Sequence, residues 1–175
     1  MGIARIPKRV KLIVGLIARD ADLLATIKKA LERALRNKVD LESGVMDFIH
    51  TGYYAEEMGC NLKRKFLSFR KPIDLKNAYA VKLKTNAIER RFSKDGKRAL
   101  NIDPGYLDLS KLVLFSTKDY THRIYLNKGI YAEITLFYKD KTFRAWPWTY
   151  PDYKTDEYID LFNKIRDIHK ENIGA

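Results

Sequence analysis

Five short β-like segments follow one another between residues 100 and 146, and they restrict the fold more than any other feature of the chain. Each is rich in β-branched, aromatic or long apolar residues: Leu100–Ile102, Leu112–Thr117, Ile124–Leu126, Ile130–Tyr138 and Thr142–Trp146. Turn residues lie between them at Asp103-Pro104-Gly105, Asn127-Lys128-Gly129 and Lys139-Asp140-Lys141. Short strands joined by tight turns form antiparallel sheets. This segment therefore predicts a C-terminal β-meander.

The N-terminal segment predicts one buried strand followed by one helix. Val10–Ile17 is almost continuously apolar and β-branched, which is typical of a strand that is buried on both faces. Apolar residues then recur at helical spacing from Leu23 to Leu35, and Asp20 is placed to cap that helix. The chain therefore begins as strand, turn and helix.

The middle of the chain combines extended segments with one ambiguous segment. Val39–Tyr54 is predicted to be extended, and Leu62–Phe69 is predicted to be a strand. Ile73–Phe92 shows both the alternation of a strand and the apolar stripe of a helix. Asp74 as a cap favours the helix, with a break near Thr85-Asn86.

An aromatic segment and a helix complete the pattern. Two prolines restrict Trp146–Tyr153, and the apolar spacing that follows predicts a helix beginning at Thr155 or Asp156. The sequence has no internal repeat and no linker long enough to divide it. We therefore predict one α+β domain over residues 1–175, whose mixed or mainly antiparallel sheet packs against two or more helices.

Composition narrows the class of protein. The chain has 175 residues, and 34 Lys and Arg against 22 Asp and Glu give a net charge of +12. A hydrophobic share of 46% excludes intrinsic disorder, and a single cysteine, Cys60, excludes a disulfide scaffold. No apolar run reaches the about 18 residues that span a membrane, and no secretory signal is visible, so we expect a cytoplasmic protein without a membrane partner. Abundant Lys without any Gln is typical of thermophiles.

The positive charge is concentrated in residues 61–100. This segment carries 13 basic and 3 acidic side chains, a net charge of +10, whereas residues 101–175 are neutral. A localised charge predicts an anionic partner such as RNA, although a solvated basic face has the same composition. The candidate nucleic-acid-binding residues are Lys63, Arg64, Lys65, Arg70, Lys71, Arg90 and Arg91.

The common phosphate-binding and metal-binding motifs are absent from the sequence. Neither G-x-x-x-x-G-K-[ST] nor G-x-G-x-x-G occurs, and one cysteine with scattered histidines does not form a zinc motif. Ile49-His50-Thr51 resembles half of a two-histidine phosphoesterase signature, but Thr121-His122-Arg123 has the wrong order for the other half.

Three residues of the β-rich segment are candidates for catalysis. His122 is the natural general acid or base, because histidine side chains in general change charge near working pH, or else it is a turn histidine bonded to backbone. Glu133 lies among strand residues, so it either faces solvent or points into a cleft. Asp103 either caps a turn or, together with Glu133, holds Mg²⁺ or orients His122.

Further polar and aromatic residues of the same segment are candidates for ligand binding. Lys118 and Arg123 have the charge to hold a phosphate or a carboxylate. Aromatic side chains near residue 150 either stack on a base or sugar or pack the last helix. The full set of candidates is Asn101, Tyr106, Lys118, Arg123, Tyr125, Tyr150, Asp152 and Tyr153.

These residues form a series of short motifs that resembles a known family. The motifs are Asn101-Ile102-Asp103-Pro104-Gly105-Tyr106-Leu107, Lys118-Asp119, His122-Arg123-Ile124-Tyr125-Leu126, Gly129-Ile130-Tyr131-Ala132-Glu133 and Trp148-Thr149-Tyr150-Pro151-Asp152-Tyr153. Upstream, Tyr53-Tyr54, Glu57-Met58-Gly59 and Thr85-Asn86 with Glu89 fit the same pattern. The sequence resembles the prokaryotic family called domain of unknown function 4416, whose members often carry a GTP-binding label. The resemblance implies a single-domain cytosolic protein and no particular mechanism.

Three hypotheses about function follow. The first is a protein that binds a phosphate-bearing ligand, either a nucleotide or RNA, through the basic segment and the polar and aromatic face. The second is an enzyme that acts on a phosphoester or a nucleotide, with His122 as general acid or base. The third is a structural or interaction module without a small-molecule site.

Overall fold

A nine-stranded sheet forms the centre of the computed structural model, which describes residues 1–49, 55–93 and 97–174. The strands are β1 (Lys11–Ala18), β2 (Val39–Glu42), β3 (Met46–Asp47), β4 (Lys63–Phe69), β5 (Leu100–Leu107), β6 (Lys111–Ser116), β7 (Ile124–Asn127), β8 (Ile130–Lys139) and β9 (Thr142–Ala145). His50, Thr51 and the Tyr53-Tyr54 pair lie outside the described residues.

The sheet is antiparallel, with the order β2-β4-β1-β5-β6-β8-β7. Each of its strand pairs in the described residues is antiparallel. The C-terminal strands differ from a simple meander, because β6 pairs with β8 while β7 and β9 both pair with β8 as hairpin partners. The prediction of an α+β fold with a mainly antiparallel sheet is confirmed.

Four helices accompany the described sheet: α1 (Ala21–Leu35), the single turn α2 (Ala55–Met58), α3 (Tyr79–Arg91) and α4 (Asp156–Asn172). Asp20 caps α1, since its carboxylate accepts a hydrogen bond of 2.7 Å from the backbone N–H of Asp22. The ambiguous middle segment is helical, and the break expected near Thr85-Asn86 is wrong because α3 continues to Arg91.

The helices cover both faces of the sheet. Leu12, Val14 and Leu16 of β1 belong to a core that α1 and α3 close on one face. Ile13 belongs to a second core, which Phe162 and other residues of α4 close on the opposite face. The prediction that β1 is buried on both faces is therefore confirmed.

The turn predicted at Asp103-Pro104-Gly105 is wrong, because these residues continue strand β5. All eight residues of β5 pair with β1, including Pro104 opposite Val14. Pairing with β6 covers only Gly105–Leu107, so Pro104, which has no N–H to donate, lies outside that ladder. Proline and glycine thus mark the point where β5 and β6 separate.

Side chains of α3 take the place of β6 where the two strands separate. The backbone N–H of Ile102 donates to Glu89 at 2.5 Å, and the carbonyl of Ile102 accepts from Lys82 Nζ at 2.8 Å. Burial raises the pKa of Glu89, although Lys82 and the N–H of Ile102 oppose that shift. Since α3 satisfies the backbone of β5, a cleft can remain open between β5 and β6.

A buried histidine of α4 leads to a prediction about stability and pH. His169 is 1% exposed, and burial lowers its pKa; Lys11 adds to this shift and Asp108 opposes it. The neutral imidazole is favoured in the folded state, so its contribution to stability is present above the unfolded pKa of about 6.5. That contribution is lost as the pH falls through the lower folded-state pKa.

We expect His169→Leu to reduce the acid sensitivity of the fold. Urea unfolding at about pH 7.5 and about pH 5, on either side of the ordinary histidine pKa, measures the loss of unfolding free energy on acidification. The parent protein should lose more than the variant, because carboxylates contribute equally to both. Equal losses would contradict the assignment.

Candidate functional site

The cleft between β5 and β6 has two compartments that meet at shared residues. The inner compartment has a volume of about 400 Å³, with apolar walls that include Ile17, Phe48 and Leu114. The outer compartment, of about 320 Å³, has polar and charged walls that α3 contributes in part. Six residues line both compartments: Asp103, Phe115, Ser116, Lys118, Arg123 and Tyr150. The cleft is therefore apolar at its inner end and polar at its outer end.

Arg64 lies at the inner end of the cleft, on the sheet face covered by α4. Its Nη2 donates to Asp152 Oδ2 at 2.7 Å, and its Nη1 donates to Asp103 Oδ2 at 3.4 Å. Gly15 on the neighbouring strand makes room for it, since a Cβ there would lie 3.1 Å from Arg64 Nη1. The guanidinium also faces the rings of Phe66 and Tyr153, at 4.9 and 5.4 Å from the ring centres.

Burial alone would lower the pKa of Arg64, which is 2% exposed. The phenol of Tyr153 and the carboxylates of Asp152 and Asp103 outweigh that effect and raise the pKa above its usual range. Within the described residues, Arg64 Nε and Tyr153 Oη are buried without a hydrogen-bond partner. Both atoms are fully buried, so they do not face the open space of the inner compartment.

A chain of hydrogen bonds extends from Asp103 to the outer compartment. Asn101 Nδ2 donates to Asp103 Oδ2 at 2.7 Å, and Arg98 Nη1 donates to Asn101 Oδ1 at 3.1 Å. Arg98 also holds Glu57 of α2 through two bonds of 2.6 and 2.7 Å. The side chains of α2 and β5 are therefore fixed relative to each other at the rim of the cleft.

Arg123 organises the opposite wall. It donates to Glu133 Oε2 at 2.7 Å, Ser116 Oγ at 3.0 Å, the carbonyl of Lys118 at 3.0 Å and Tyr150 Oη at 2.7 Å. Burial alone would lower the pKa of Arg123, but its contacts with Glu133 and Tyr150 outweigh this and raise it. One guanidinium thus fixes both the loop after β6 and the aromatic segment.

The hydroxyl of Tyr150 is placed as a donor to a ligand. Its oxygen accepts from Arg123, so its proton is available to a molecule in the cleft. Burial raises the pKa of Tyr150, and Glu133 adds to the shift while Arg123 opposes it. Tyr150 therefore keeps its proton at neutral pH.

The three catalytic candidates are only partly brought together. Glu133 is 1% exposed and lines the inner compartment together with Asp103, so the solvent-facing alternative for Glu133 is wrong. His122 Nε2 lies 3.2 Å from Glu133 Oε2, but its ring stacks on Trp148 and is not among the residues lining either compartment. Glu133 thus separates His122 from the cleft.

The ligand-binding candidates divide into two groups. Lys118, Arg123, Tyr150, Asp152 and Tyr153 line the inner compartment, and Asn101 lines the outer one. Tyr106 instead packs against Phe115 on the α3 side of the sheet, and Tyr125 lies 57% exposed on β7. Neither Tyr106 nor Tyr125 is among the residues that line the cleft.

The basic segment 61–100 does not form one continuous surface. Arg64 is buried in the cleft, whereas Lys63 and Lys65 alternate to the other face of β4 and pair with Asp47 and Glu42. The remaining candidates lie in different places. Arg90 lines the outer compartment, Arg91 ends α3, and Arg70 and Lys71 line a separate concavity near the end of α1.

Several residues of the cleft were missed from the sequence. Lys82 and Arg98 lie in the basic segment, where sequence alone does not separate buried cations from exposed ones, and Glu89 is one of the few acidic residues of that segment. Glu57 and Glu89 belong to the motifs of the family resemblance, and that was the one signal that could have found them.

Two further expectations concern metals and membranes. In residues 1–49, 55–93 and 97–174, no group of three or more His, Cys, Asp or Glu is arranged to hold a metal ion. None of the helices in that part of the chain is long and apolar enough to cross a bilayer.

Comparison with known proteins identifies one family. The family model described as domain of unknown function (DUF4416) matches residues 8–169, a range that includes every residue of the cleft. No curated protein and no solved structure matches the chain.

Proposed function

Since the chain belongs to the DUF4416 family, whose description names no activity, we propose its function from the cleft itself: it binds a small phosphate-bearing molecule that also carries a ring, such as a nucleotide. The observation that carries this proposal is the meeting of an apolar and a charged compartment at six shared residues. Ligand sites are mostly apolar concavities with a few well-placed polar groups.

The inner compartment suits the ring. Its walls combine apolar side chains, among them Ile17, Phe48 and Leu114, with the polar hydroxyl-bearing side chain of Tyr150. Nucleobases have apolar faces that would pack against such walls, and their edge acceptors would take a hydrogen bond from the Tyr150 hydroxyl. A ring with acceptors therefore fits better than a purely aliphatic group.

The outer compartment suits the phosphate. Lys118 and Arg123 lie at the junction of the two compartments, and Arg90 and Arg98 lie farther out. Cations and hydroxyl groups such as that of Ser116 bind phosphate through charge-assisted hydrogen bonds. Mg²⁺, where it takes part, would enter with the phosphate, because this ion is typically bound by one or two carboxylates and substrate phosphates.

Calorimetric titration with AMP and GMP tests the proposal. We expect at least one of them to bind more tightly than both the matching nucleoside and inorganic phosphate, in the presence or absence of Mg²⁺. Lys118→Ala should weaken the binding of the nucleotide about tenfold or more but leave the binding of the nucleoside unchanged, since it removes a contact to the phosphate. Lys128→Ala, in the exposed turn between β7 and β8, is the matched control.

Three results would count against this function. If inorganic phosphate binds as tightly as either nucleotide, the inner compartment does not take the ring. If neither nucleotide nor nucleoside binds, the cleft is not a site for this class of ligand. Equal effects of the Lys118 and Lys128 variants would show that only net charge matters.

The hydrogen bond between His122 and Glu133 favours an enzyme as the second candidate. Glu133 lines the cleft, so it would take a proton from a water molecule that attacks phosphorus. The bond between phosphorus and the nucleoside oxygen would break, and this oxygen would take up the proton from Glu133. His122 would position Glu133 instead of contacting the substrate. Release of phosphate from AMP or GMP measures this activity. A rate that is unchanged by Glu133→Gln would exclude this role.

A further inference from the structure

A second concavity, of about 620 Å³, lies at the end of the sheet opposite the cleft. It forms where α1 ends and where β4 ends, whereas the cleft lies near the C-terminal end of β1. Six exposed cations line it: Lys29, Arg33, Arg36, Lys38, Arg70 and Lys71. We refer to this concavity, which Glu32 and Asn37 also line, as the basic concavity.

The charge of the basic concavity is largely uncompensated. Glu32 is the single acidic residue of its lining, and it pairs with Lys38 at 3.2 Å. A hydrogen bond from the backbone of Val39 is the main reason that the pKa of Glu32 is lowered. The other five cations form no ion pair with the described residues.

Buried contacts hold the two basic segments in fixed positions. Asn37 is 6% exposed, and its Nδ2 donates to the carbonyl of Lys71 at 2.8 Å while its Oδ1 accepts from the N–H of Lys71 at 2.9 Å. The N–H of Arg70 donates to the carbonyl of Lys38 at 2.8 Å. The concavity is therefore a built feature of the fold and not a chance approach of mobile lysines.

We propose that the basic concavity binds the phosphodiester backbone of a structured nucleic acid without reading its bases. Lys29 and Arg33 lie one turn apart on α1, and Arg36 follows as the residue that ends this helix, so positive charge is concentrated at its C-terminal end. Rows of Lys and Arg on phosphates supply most of the sequence-independent affinity for nucleic acids.

The composition of the lining favours this partner over two others. All the lining residues are charged or amide side chains. Protein interfaces have an apolar or aromatic centre, and peripheral membrane sites insert apolar side chains, so both partners would require residues that this lining lacks. The absence of aromatic residues from the lining also indicates contact with the backbone and not stacking on bases.

The test is the binding of a fluorescent RNA hairpin with a stem of about 16 base pairs, followed by anisotropy over a range of salt concentrations. Lys29→Ala/Arg33→Ala/Arg70→Ala should weaken binding at least about tenfold and reduce the salt slope by about 3, one unit for each cation. The matched control is Lys139→Ala/Lys164→Ala/Lys170→Ala, which removes the same charge from exposed positions elsewhere.

Every outcome bears on the proposal, which does not depend on nucleotide binding in the cleft. A larger loss in the concavity variant than in the control supports it, provided that urea unfolding shows both variants to be folded. Equal losses in the two variants, or no binding by the parent, would overturn it. Stronger binding to polyglutamate or to phosphatidylserine vesicles than to the hairpin would also overturn it, in favour of an acidic protein or a membrane.

Discussion

Replacing Asp152 by alanine is expected to lower the free energy of unfolding by about 3–5 kcal/mol, because it leaves a buried cation without its nearest carboxylate. Arg64 is 2% exposed, and its closest acidic contact is Asp152 at 2.7 Å. The longer contact to Asp103, at 3.4 Å, does not replace it. Urea unfolding at neutral pH measures the effect.

A double-mutant cycle separates the loss of the charge pair from the loss of packing. Arg64→Met removes the buried cation, so Arg64→Met combined with Asp152→Ala should be more stable than Asp152→Ala alone. Asp160→Ala, on the exposed side of α4, is the matched surface control and should change stability by about 0.5 kcal/mol or less. The idea is refuted if Asp152→Ala is as stable as this control.

The same residue illustrates what the sequence could not show. Lys63-Arg64-Lys65 has the composition of a basic surface, but β4 is a strand, so successive side chains point to opposite faces. Arg64 lies on the same face as Asp103 of β5, and the turn at Pro151–Lys154 brings Asp152 to it. Composition gives the amount of charge in a segment, whereas the register of the sheet decides which cation is buried.

The C-terminal part of the site was predictable because its polar residues lie close together in the sequence. Between residues 101 and 153, the candidate side chains lie within strands or in the loops beside them, and most of them line the cleft. Glu133 is the clearest example, since a carboxylate in the middle of a strand requires either solvent or a buried partner. Its partner Arg123 is ten positions away and belongs to the same hairpin region.

The other side of the site depends on contacts that are distant in the chain. Arg98 holds Glu57, 41 positions away, and Arg64 holds Asp152, 88 positions away. No periodicity or spacing connects such residues in a single sequence. The hydrogen bonds between the backbone of Ile102 and the side chains of Lys82 and Glu89 could not be predicted from the sequence either. They form only because β6 does not pair with this part of β5.

Gly105→Ala is expected to lower the free energy of unfolding by about 3 kcal/mol or more, through overpacking against backbone. A Cβ at this position would lie 2.1 Å from the carbonyl oxygen of Val113 and 3.1 Å from the Cα of Leu114. Since both contacts are to the backbone of β6, rotation of a side chain cannot relieve them. Strand β6 would have to move away from β5.

That movement should also affect the cleft, because β6 supplies Leu114, Phe115 and Ser116 to its walls. We therefore expect Gly105→Ala to weaken nucleotide binding even at temperatures where the variant remains folded. Gly44→Ala is the matched control, since a Cβ there meets no atom within 4 Å. Equal urea midpoints for the two variants would show that β5 and β6 do not need the close contact at Gly105. A destabilised Gly105 variant with unchanged nucleotide affinity would show that the cleft does not depend on the separation that begins at Pro104.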